Sequence, residues 1–150
     1  MSTTTHTTQS VAETEAVAAG VAARLRGGEC IALHGELGAG KTQFVRGLVR
    51  ALGGNVRAVS SPTFVLLNIY EGGRLAVYHL DAYRVHGAED FEGIGFGELL
   101  EQRGVVVVEW AGRVRSILPV DAIEVKIEAT DEETGRRIEV VCPEGRACDS

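Results

Sequence analysis

The stretch with the clearest chemical meaning is a glycine-rich segment that ends in a lysine and a threonine. It fits the pattern Gly35-x-x-x-x-Gly40-Lys41-Thr42 and lies between the apolar run "CIAL" and an amphipathic segment. Glycines let successive backbone N–H groups turn toward one anion, and a helix that begins there adds its own unpaired N–H groups. The lysine would reach the terminal phosphates, and the threonine hydroxyl would reach Mg²⁺. Because lysine occurs only twice in the chain, a chance match is disfavoured, and the pattern predicts a nucleotide phosphate site.

Two acidic residues directly follow strand-like segments and are candidates for managing a metal ion. Asp81 follows "RLAVYHL", and Glu109 follows "VVVV". In phosphoryl chemistry such an acid stands at the carboxyl end of a buried strand, near the phosphates. One of the two would hold Mg²⁺, directly or through water, and the other would orient the attacking water. Spacing alone does not assign these roles, and either residue taken singly has the alternative of a solvated carboxylate at a strand end.

Three further residues have both a functional and a structural interpretation. Trp110, the only tryptophan, either fills the core or lines the nucleotide. Thr63 in "SSPTF" either contacts the terminal phosphate or is a turn residue. His79 is interpreted as a packed or surface histidine rather than a catalyst. A guanine-specific Asn-Lys-x-Asp element is impossible because neither lysine follows an asparagine, so elimination favours adenine.

The elements that position these residues alternate between helix and strand in the first part of the chain. Apolar residues recur at helical spacing over residues 10–26, where Ser10 and Glu13 fit a capping box, and again from the glycine loop to Leu52. Residues 86–102 have helical character but are interrupted by glycines. The segments with strand character are residues 30–33, 56–59, 65–70, 74–80, 105–108, 125–129 and 137–141. Two pairs of these are joined by turn sequences and predict hairpins, 65–70 with 74–80 and 125–129 with 137–141.

This order predicts an α/β fold, a P-loop NTPase-like three-layer sandwich with a mixed, mostly parallel central sheet and antiparallel hairpins. At 150 residues the chain is large enough for one domain with its own core. Residues 1–9 are polar and are expected to form a disordered N-terminal tail. Residues 10–142 are expected to form the phosphate-loop domain, and residues 143–150 a flexible C-terminal tail.

The composition of the chain limits which classes of function are expected and where in the cell the protein is expected to be. The net charge of −6 argues against a broad basic surface for nucleic acid, so a partner would have to hold any nucleic acid. No apolar run approaches the ~20 residues of a membrane span, and the N-terminus lacks the basic and apolar regions of a secretory signal. The three cysteines have neither metal-site nor CxxC spacing. A cytoplasmic location is therefore expected.

Three segments together resemble the TsaE (YjeE) family over about residues 10–140. They are "GELGAGKTQFVRGLVRALG", "SPTFVLLNIYEGGRLAVYHLDAYRV" and "VVVVEWAGRV". The resemblance implies a P-loop ATPase that acts with the proteins TsaB and TsaD. Together these proteins attach a threonylcarbamoyl group to an adenosine of tRNAs that read codons beginning with A. It also implies that the ATPase does not transfer the group itself and that hydrolysis is slow without the partners.

The resemblance further implies a role for individual residues. The loop from Gly38 through Ala39, Gly40 and Lys41 to Thr42 would bind the phosphates of ATP. Thr42 and Glu109 resemble the Mg²⁺ ligands, and Lys41, Asp81 and Glu109 would be catalytic. The remaining residues that would contact ATP are Thr63 as a switch-like threonine, Asp81 near the terminal phosphate, Trp110 beside the site, Thr14 near the base and Arg137 as a distal contact.

The chain departs from the family pattern at two places. Position 36 is Glu where Asp is more usual, and "AGR" follows Trp110 where the family often has Pro-Glu-Arg. The second change leaves the loop after Glu109 less defined. Two other classes of function share the phosphate loop, a small-molecule kinase and a nucleotide-dependent binding module without meaningful hydrolysis. A kinase would also need an acceptor pocket and a basic lid, and the sequence has no arginine-rich lid segment.

Overall fold

Four parallel strands form the centre of one seven-stranded sheet in a computed structural model of the chain. The structure describes residues 2–36, 39–59, 67–83 and 88–143. The strands are β1 (Ser2–Thr8), β2 (Cys30–His34), β3 (Leu67–Tyr70), β4 (Val77–Asp81), β5 (Val105–Glu109), β6 (Ile123–Ala129) and β7 (Arg136–Cys142). The helices are α1 (Val11–Ala22), α2 (Lys41–Ala51), α3 (Ala88–Gly93) and α4 (Phe96–Leu100), with 3₁₀ helices at Val56–Ala58 and Ala111–Ile117. None of these helices has the length and apolar character that crossing a membrane requires.

The order of the strands is β1-β7-β6-β2-β5-β4-β3. Strand β2 pairs in parallel with both β5 and β6, and β5 pairs in parallel with β4. The outer strands are antiparallel, with β3 on β4 and β7 on β6. Both predicted hairpins are thereby confirmed, and so is the mixed, mostly parallel sheet. The phosphate loop follows β2 at the centre, where the carboxyl ends of neighbouring parallel strands meet.

Alternation along the central strands builds a core on each face of the sheet. Residues one apart point to opposite faces of a strand. Ile31 and Val107 therefore pack with α1 and α2 in one hydrophobic cluster, while Ala32 and Val108 pack in the other cluster with Phe91 of α3. Because both faces are covered, β2 and β5 are buried along nearly their whole length and read as continuous apolar runs.

Helix α1 begins where the sequence predicts. The Ser10 hydroxyl oxygen accepts a hydrogen bond from the Glu13 N–H at 3.1 Å, and a Glu13 carboxylate oxygen accepts one from the Gln9 N–H at 2.8 Å. These bonds satisfy backbone donors that the helix leaves unpaired. The helix is thereby fixed directly after β1.

The expectation of a disordered tail over residues 1–9 is wrong for residues 2–8. These residues are strand β1, which pairs antiparallel with β7 from Ser2 opposite Cys142 to Thr8 opposite Arg136. Threonine is β-branched and favours strands, and β7 offers an open sheet edge. Residues 2–8 are thus part of the sheet, while residues 144–150 of the expected C-terminal tail lie outside the described residues.

Two other local predictions need correction. Residues 56–59, predicted as a strand, contain the 3₁₀ helix Val56–Ala58. The Asn55 side-chain oxygen accepts a hydrogen bond from the Arg57 N–H at 3.1 Å, and this local turn competes with an extended strand. The helical segment predicted over residues 86–102 contains two short helices, α3 and α4, on either side of Gly95, whose φ is +82°.

We expect Gly47→Ala to destabilise the protein because α1 and α2 cross closely at this glycine. A Cβ at position 47 would lie 2.6 Å from the Cα and 2.8 Å from the carbonyl oxygen of Glu15. Backbone atoms cannot rotate away, so the helices would have to move apart. Overpacking of this kind costs about 1–3 kcal/mol of unfolding free energy, of which the higher helix propensity of alanine offsets about 0.5–1 kcal/mol, and urea denaturation can measure the net loss.

Gly20→Ala in α1 is the matched control. Gly20 is exposed, and no described atom lies within 4 Å of the position of its Cβ. Alanine in a helix interior is favoured over glycine by about 0.5–1 kcal/mol, so this variant is expected to be more stable. Equal stability of the two variants would contradict the close crossing.

Candidate active site

The glycine-rich loop joins β2 to α2 at the carboxyl edge of the sheet. Gly35 has φ +159°, and a Cβ there would lie 2.7 Å from the carbonyl oxygen of Ile127 in β6. Gly40 has φ +107° and is the N-cap of α2. The left-handed conformation at Gly40 and the close approach at Gly35 both require glycine. Residues 37 and 38 lie outside the described ranges, so the predicted contact of Gly38 stays a prediction.

Lys41 occupies the first turn of α2 with its ammonium group enclosed. Its side chain is 5% exposed, and its Nζ lies 3.7 Å from Glu109 Oε1. The same Nζ lies 3.9 Å from the ring centroid of Trp110 and makes no hydrogen bond to any described residue. Burial lowers the pKa of Lys41, although the charges of Glu109 and Asp81 oppose that shift. A buried cation with unused donors is the chemical complement of a phosphate oxygen.

Asp81 and Glu109 lie side by side at the ends of β4 and β5. They are paired directly in the parallel register, and the Ala82 N–H donates to the Glu109 carbonyl oxygen at 3.0 Å. Asp81 Oδ1 accepts a hydrogen bond from the Tyr83 N–H at 2.8 Å. Burial raises the pKa of Asp81, and the charge of Glu109 adds to the increase. Two carboxylates and the Lys41 ammonium are thus concentrated at one sheet edge.

Glu109 is also held from beneath by a histidine. His79 Nε2 lies 2.5 Å from Glu109 Oε2, and His79 is fully buried. His79 is therefore packed, as one of the two sequence interpretations has it. Its specific bond to a candidate site residue was not expected, because no sequence signal shows which buried histidine has a carboxylate neighbour.

Trp110 connects Glu109 to the following 3₁₀ helix in an unusual backbone conformation. Its φ of +57° lies in the left-handed region, which non-glycine residues seldom adopt. Such strain is maintained only where the surroundings enforce it. Here the indole packs on the Tyr83 ring, with centroids 5.0 Å apart, and covers the Lys41 ammonium. The side chain is partly buried and lies directly beside the candidate site.

The segment after Trp110 is tied to the strand that precedes the phosphate loop. Arg115 donates two hydrogen bonds to the Glu124 carboxylate, at 2.8 and 3.1 Å. His34 Nε2 lies 2.7 Å from Glu124 Oε1. Burial works against ionisation of Glu124, but the bonds from Arg115 and His34 outweigh it and lower the pKa of this carboxyl. This cluster fixes the segment that the departure from the family pattern left undefined.

The other residues predicted to contact ATP or Mg²⁺ lie in different parts of the chain. Thr42 is partly buried in the first turn of α2, next to Lys41. Thr14 is buried in α1, and its hydroxyl lies 2.8 Å from that of Thr8 in β1. Thr63 lies outside the described residues. Arg137 is exposed on β7, where the register pairs it with Thr7 and Glu128.

Arg136, the neighbour of the predicted Arg137, contacts the phosphate loop. Its Nε donates a hydrogen bond to the Ala39 carbonyl oxygen at 2.7 Å, and Nη1 donates to the Gly135 carbonyl oxygen at 2.7 Å. Neighbouring residues of a strand point to opposite faces. The sequence "GRR" contains both arginines but does not show which one faces the loop.

A cavity of about 740 Å³ adjoins the loop on the side of β6. Its volume is within the range of pockets that hold small ligands. Charged and aromatic side chains border it, namely His34, Glu36, Trp110, Arg113, Lys126 and Glu128. The phosphate loop, through Gly35 and Ala39, and Trp110 therefore border a space that can admit a ligand, whereas Lys41, Asp81 and Glu109 are not among the residues that line it.

Comparison with known proteins agrees with the motifs. The family model Threonylcarbamoyl adenosine biosynthesis protein TsaE matches residues 8–138. The chain belongs to the TsaE family. The Bacillus subtilis tRNA threonylcarbamoyladenosine biosynthesis protein TsaE is 38% identical over 140 residues, which cover 88% of this chain and 87% of that protein. The Treponema pallidum protein of the same name is 45% identical over 69% of this chain and 75% of its own length.

A solved structure supports the same assignment. The crystal structure of Bacillus subtilis YdiB superposes with a TM-score of 0.77 and 30% sequence identity, covering 94% of this chain and 86% of that one. The resemblance drawn from the motifs and the P-loop α/β fold are thereby confirmed. The individual residue roles within this TsaE-family site remain predictions.

The residues present fit a magnesium ion that arrives with a nucleotide. Within the described part of the chain no three His, Cys, Asp or Glu side chains cluster so as to hold a metal by themselves. Mg²⁺ is commonly bound by one or two protein oxygens together with phosphates and water. The Thr42 hydroxyl and the Glu109 carboxylate are oxygen donors of this kind. The orphaned Lys41 ammonium beside them fits the accompanying phosphates.

We expect Glu124→Gln to lower the melting temperature at pH 7 by loosening the cluster that fixes the segment after Trp110. The free energy of unfolding should fall by about 1 kcal/mol, the upper end for a partly exposed ion pair. Because the pKa of Glu124 is lowered in the fold, its stabilisation is present above the ordinary glutamate pKa of about 4.3 and is lost as pH falls through the folded value. Thermal unfolding from pH 7 to pH 3 should show the two proteins converging at acid pH.

Glu101→Gln serves as the control, because Glu101 is exposed and lies outside this cluster. Its melting temperature should follow that of the wild type throughout the series. If the difference in melting temperature between Glu124→Gln and the wild type stayed constant down to pH 3, the charge of Glu124 would not be what holds the cluster together.

Proposed function

We propose that this protein binds and hydrolyses Mg-ATP as a component of the machinery that makes N6-threonylcarbamoyladenosine in tRNA. The observation that carries the nucleotide part is the Lys41 ammonium, enclosed at the helix start with no hydrogen-bond partner among the described residues. The names of the TsaE relatives supply the pathway. Elimination of a guanine-specific element favours ATP over GTP.

The chain's own groups can bind a triphosphate by charge and by hydrogen bonds. The first turn of α2 has unpaired N–H groups and a positive dipole, and Gly40 lets the backbone approach the anion. Lys41 is already desolvated, so it loses little hydration when it meets a phosphate oxygen. Arg136 fixes the loop through the Ala39 carbonyl oxygen and adds positive charge near Gly40.

The two strand-end acids divide the chemistry of hydrolysis. Magnesium, when bound with the nucleotide, neutralises phosphate charge, and Thr42 and Glu109 would hold it. Asp81, which is paired with Glu109 in the register, would then orient the attacking water. Trp110 covers the ammonium and excludes water from that side. Lys41 stabilises the negative charge that develops on the transferred phosphoryl group.

TsaB and TsaD are the proposed partners, and the cytoplasm is the proposed location. The net charge of −6 suits a component that leaves tRNA binding to other proteins. The family match favours this function over the small-molecule kinase that the phosphate loop alone would allow. Intrinsic hydrolysis is expected to be slow until a partner completes the site, as in other switch-like NTPases.

We expect Lys41→Met to lower the affinity for Mg-ATP by roughly 10- to 100-fold, equivalent to the ~1.5–3 kcal/mol of a charged hydrogen bond. ATP turnover should be abolished. Without nucleotide the variant should have nearly the stability of the wild type, because the loss of the 3.7 Å contact with Glu109 opposes the gain from no longer burying an ammonium that lacks a hydrogen bond. Isothermal titration calorimetry and thermal unfolding measure the two effects separately.

Arg50→Met is the matched control for this substitution. Arg50 is exposed on the same helix and faces Glu15 rather than the loop. It should bind Mg-ATP like the wild type. Normal hydrolysis by Lys41→Met would show that the phosphate site has been assigned wrongly.

We expect the protein to associate with TsaB–TsaD and to differ in that association between ATP and ADP. Affinity capture with purified TsaB–TsaD in each nucleotide, followed by a threonylcarbamoylation assay on tRNA, tests both points. Multiple-turnover modification should require this protein and should fail with Lys41→Met. Absence of both association and stimulation would refute the proposed pathway while leaving nucleotide binding intact.

A further inference from the structure

A hydrogen-bonded chain of three side chains lies beneath the candidate site. The Tyr70 hydroxyl of β3 lies 3.0 Å from His79 Nδ1 of β4, and His79 Nε2 lies 2.5 Å from Glu109 Oε2 of β5. Tyr70 is 3% exposed, His79 0% and Glu109 3%. The chain therefore crosses three neighbouring strands entirely inside the protein.

Burial of the His79 side chain costs free energy unless the imidazole has hydrogen-bond partners. Residues two apart share a face of a strand, so His79 points to the same side as Val77. That side is the hydrophobic cluster beneath α1 and α2, which includes Val77, Val107 and Tyr70. Burial of an imidazole and a carboxylate among apolar side chains is unfavourable without specific partners. An apolar residue at position 79 would pack there without this penalty.

The bonds fix the orientation of the Glu109 carboxylate. An ionised carboxylate only accepts hydrogen bonds, so Nε2 of His79 must carry the proton and donate it. The terminal torsion of a glutamate is otherwise broad, and the carboxylate could rotate. With Oε2 bonded to His79, Oε1 remains directed to the site, 3.7 Å from Lys41 Nζ.

We propose that His79 is a positioning residue that holds Glu109 with one oxygen directed at the metal and phosphate site, and that Tyr70 fixes the histidine ring. This inference rests on the proposed function, because it gives Glu109 its task. Histidines and carboxylates bonded to metal ligands commonly change metal affinity 10- to 100-fold when they are replaced. His79 does not touch the nucleotide, so its effect should be confined to what Glu109 does.

Two amide substitutions of different length provide the test. An asparagine side chain at this position would be too short to reach Glu109, so His79→Asn removes the donor. The longer amide in His79→Gln can place its N–H near the position of Nε2. For each protein, calorimetry gives the Kd of ATP with Mg²⁺ and with EDTA, and the ratio measures the gain from the metal. We expect His79→Asn to reduce this gain about tenfold and His79→Gln to stay within about threefold of the wild type.

Binding of ADP in EDTA is the internal control, because it depends on the loop and Lys41 and should be equal in all three proteins. Thermal unfolding reports whether the variants are folded. If both amide variants match the wild type, or if both lose the same amount in proportion to lowered stability, His79 is only structural and the proposal is wrong. If the wild type gains nothing from Mg²⁺, the proposed function itself fails.

Nuclear magnetic resonance of the nucleotide-free protein gives a second, independent readout. Side-chain ¹⁵N–¹H correlations should show a proton on Nε2 of His79 whose resonance is shifted downfield by the hydrogen bond to the Glu109 carboxylate. Glu109→Gln should shift this resonance upfield, and Tyr70→Phe should perturb Nδ1. An unprotonated Nε2 would overturn the proposal even in a protein that binds Mg-ATP normally.

Discussion

The constraint on which the site depends is one ammonium group kept away from water without a hydrogen-bond partner among the described residues. Lys41 gains only a 3.7 Å approach to Glu109 and the face of Trp110 in return for its lost hydration. The positions of both neighbours depend on the rest of the fold. The parallel pairing of β5 with β4 sets the position of Glu109, and a left-handed backbone conformation sets that of Trp110. The enclosure of the Lys41 ammonium therefore depends on the pairing of the central strands.

The alternation of side chains along β4 and β5, which builds the core, also directs the carboxylates of Asp81 and Glu109 to one face of the sheet. On β4 and β5 the side that faces α1 and α2 begins with apolar residues and ends with Asp81 and Glu109. A shift of one residue in register would turn these side chains to the opposite face. His79 interrupts the apolar series one step before Asp81 and bonds to the acid on the neighbouring strand. The alternation of side chains along these strands therefore determines both which residues pack in the core and which acids face the candidate site.

Local patterns predicted most of the elements. Nonlocal pairing explains most of the failures, whereas the failed strand prediction at residues 56–59 results from the local turn at Asn55. The phosphate loop, the capped α1 and both hairpins depend on neighbouring residues and could be predicted. Strand β1 could not, because a polar threonine run becomes ordered only against the free edge of β7, more than a hundred residues away. Arg136 could not be separated from Arg137, since the face of a strand depends on where it starts. The bond from His79 to Glu109 likewise joins strands whose adjacency no local signal reveals.

Two charged groups of the candidate site, Lys41 and Asp81, lie in surroundings that oppose their charges. Burial lowers the pKa of Lys41 and raises that of Asp81, so each group is held in surroundings that disfavour its charged form. A triphosphate with its metal would supply each group with a charge of opposite sign, because phosphate oxygens complement the Lys41 ammonium and the cation complements the acids. Binding would relieve both penalties and stabilise the folded state by mass action. Because Asp81 and Glu109 end β4 and β5, a nucleotide bound as proposed would act on the central strands as well as on the loop.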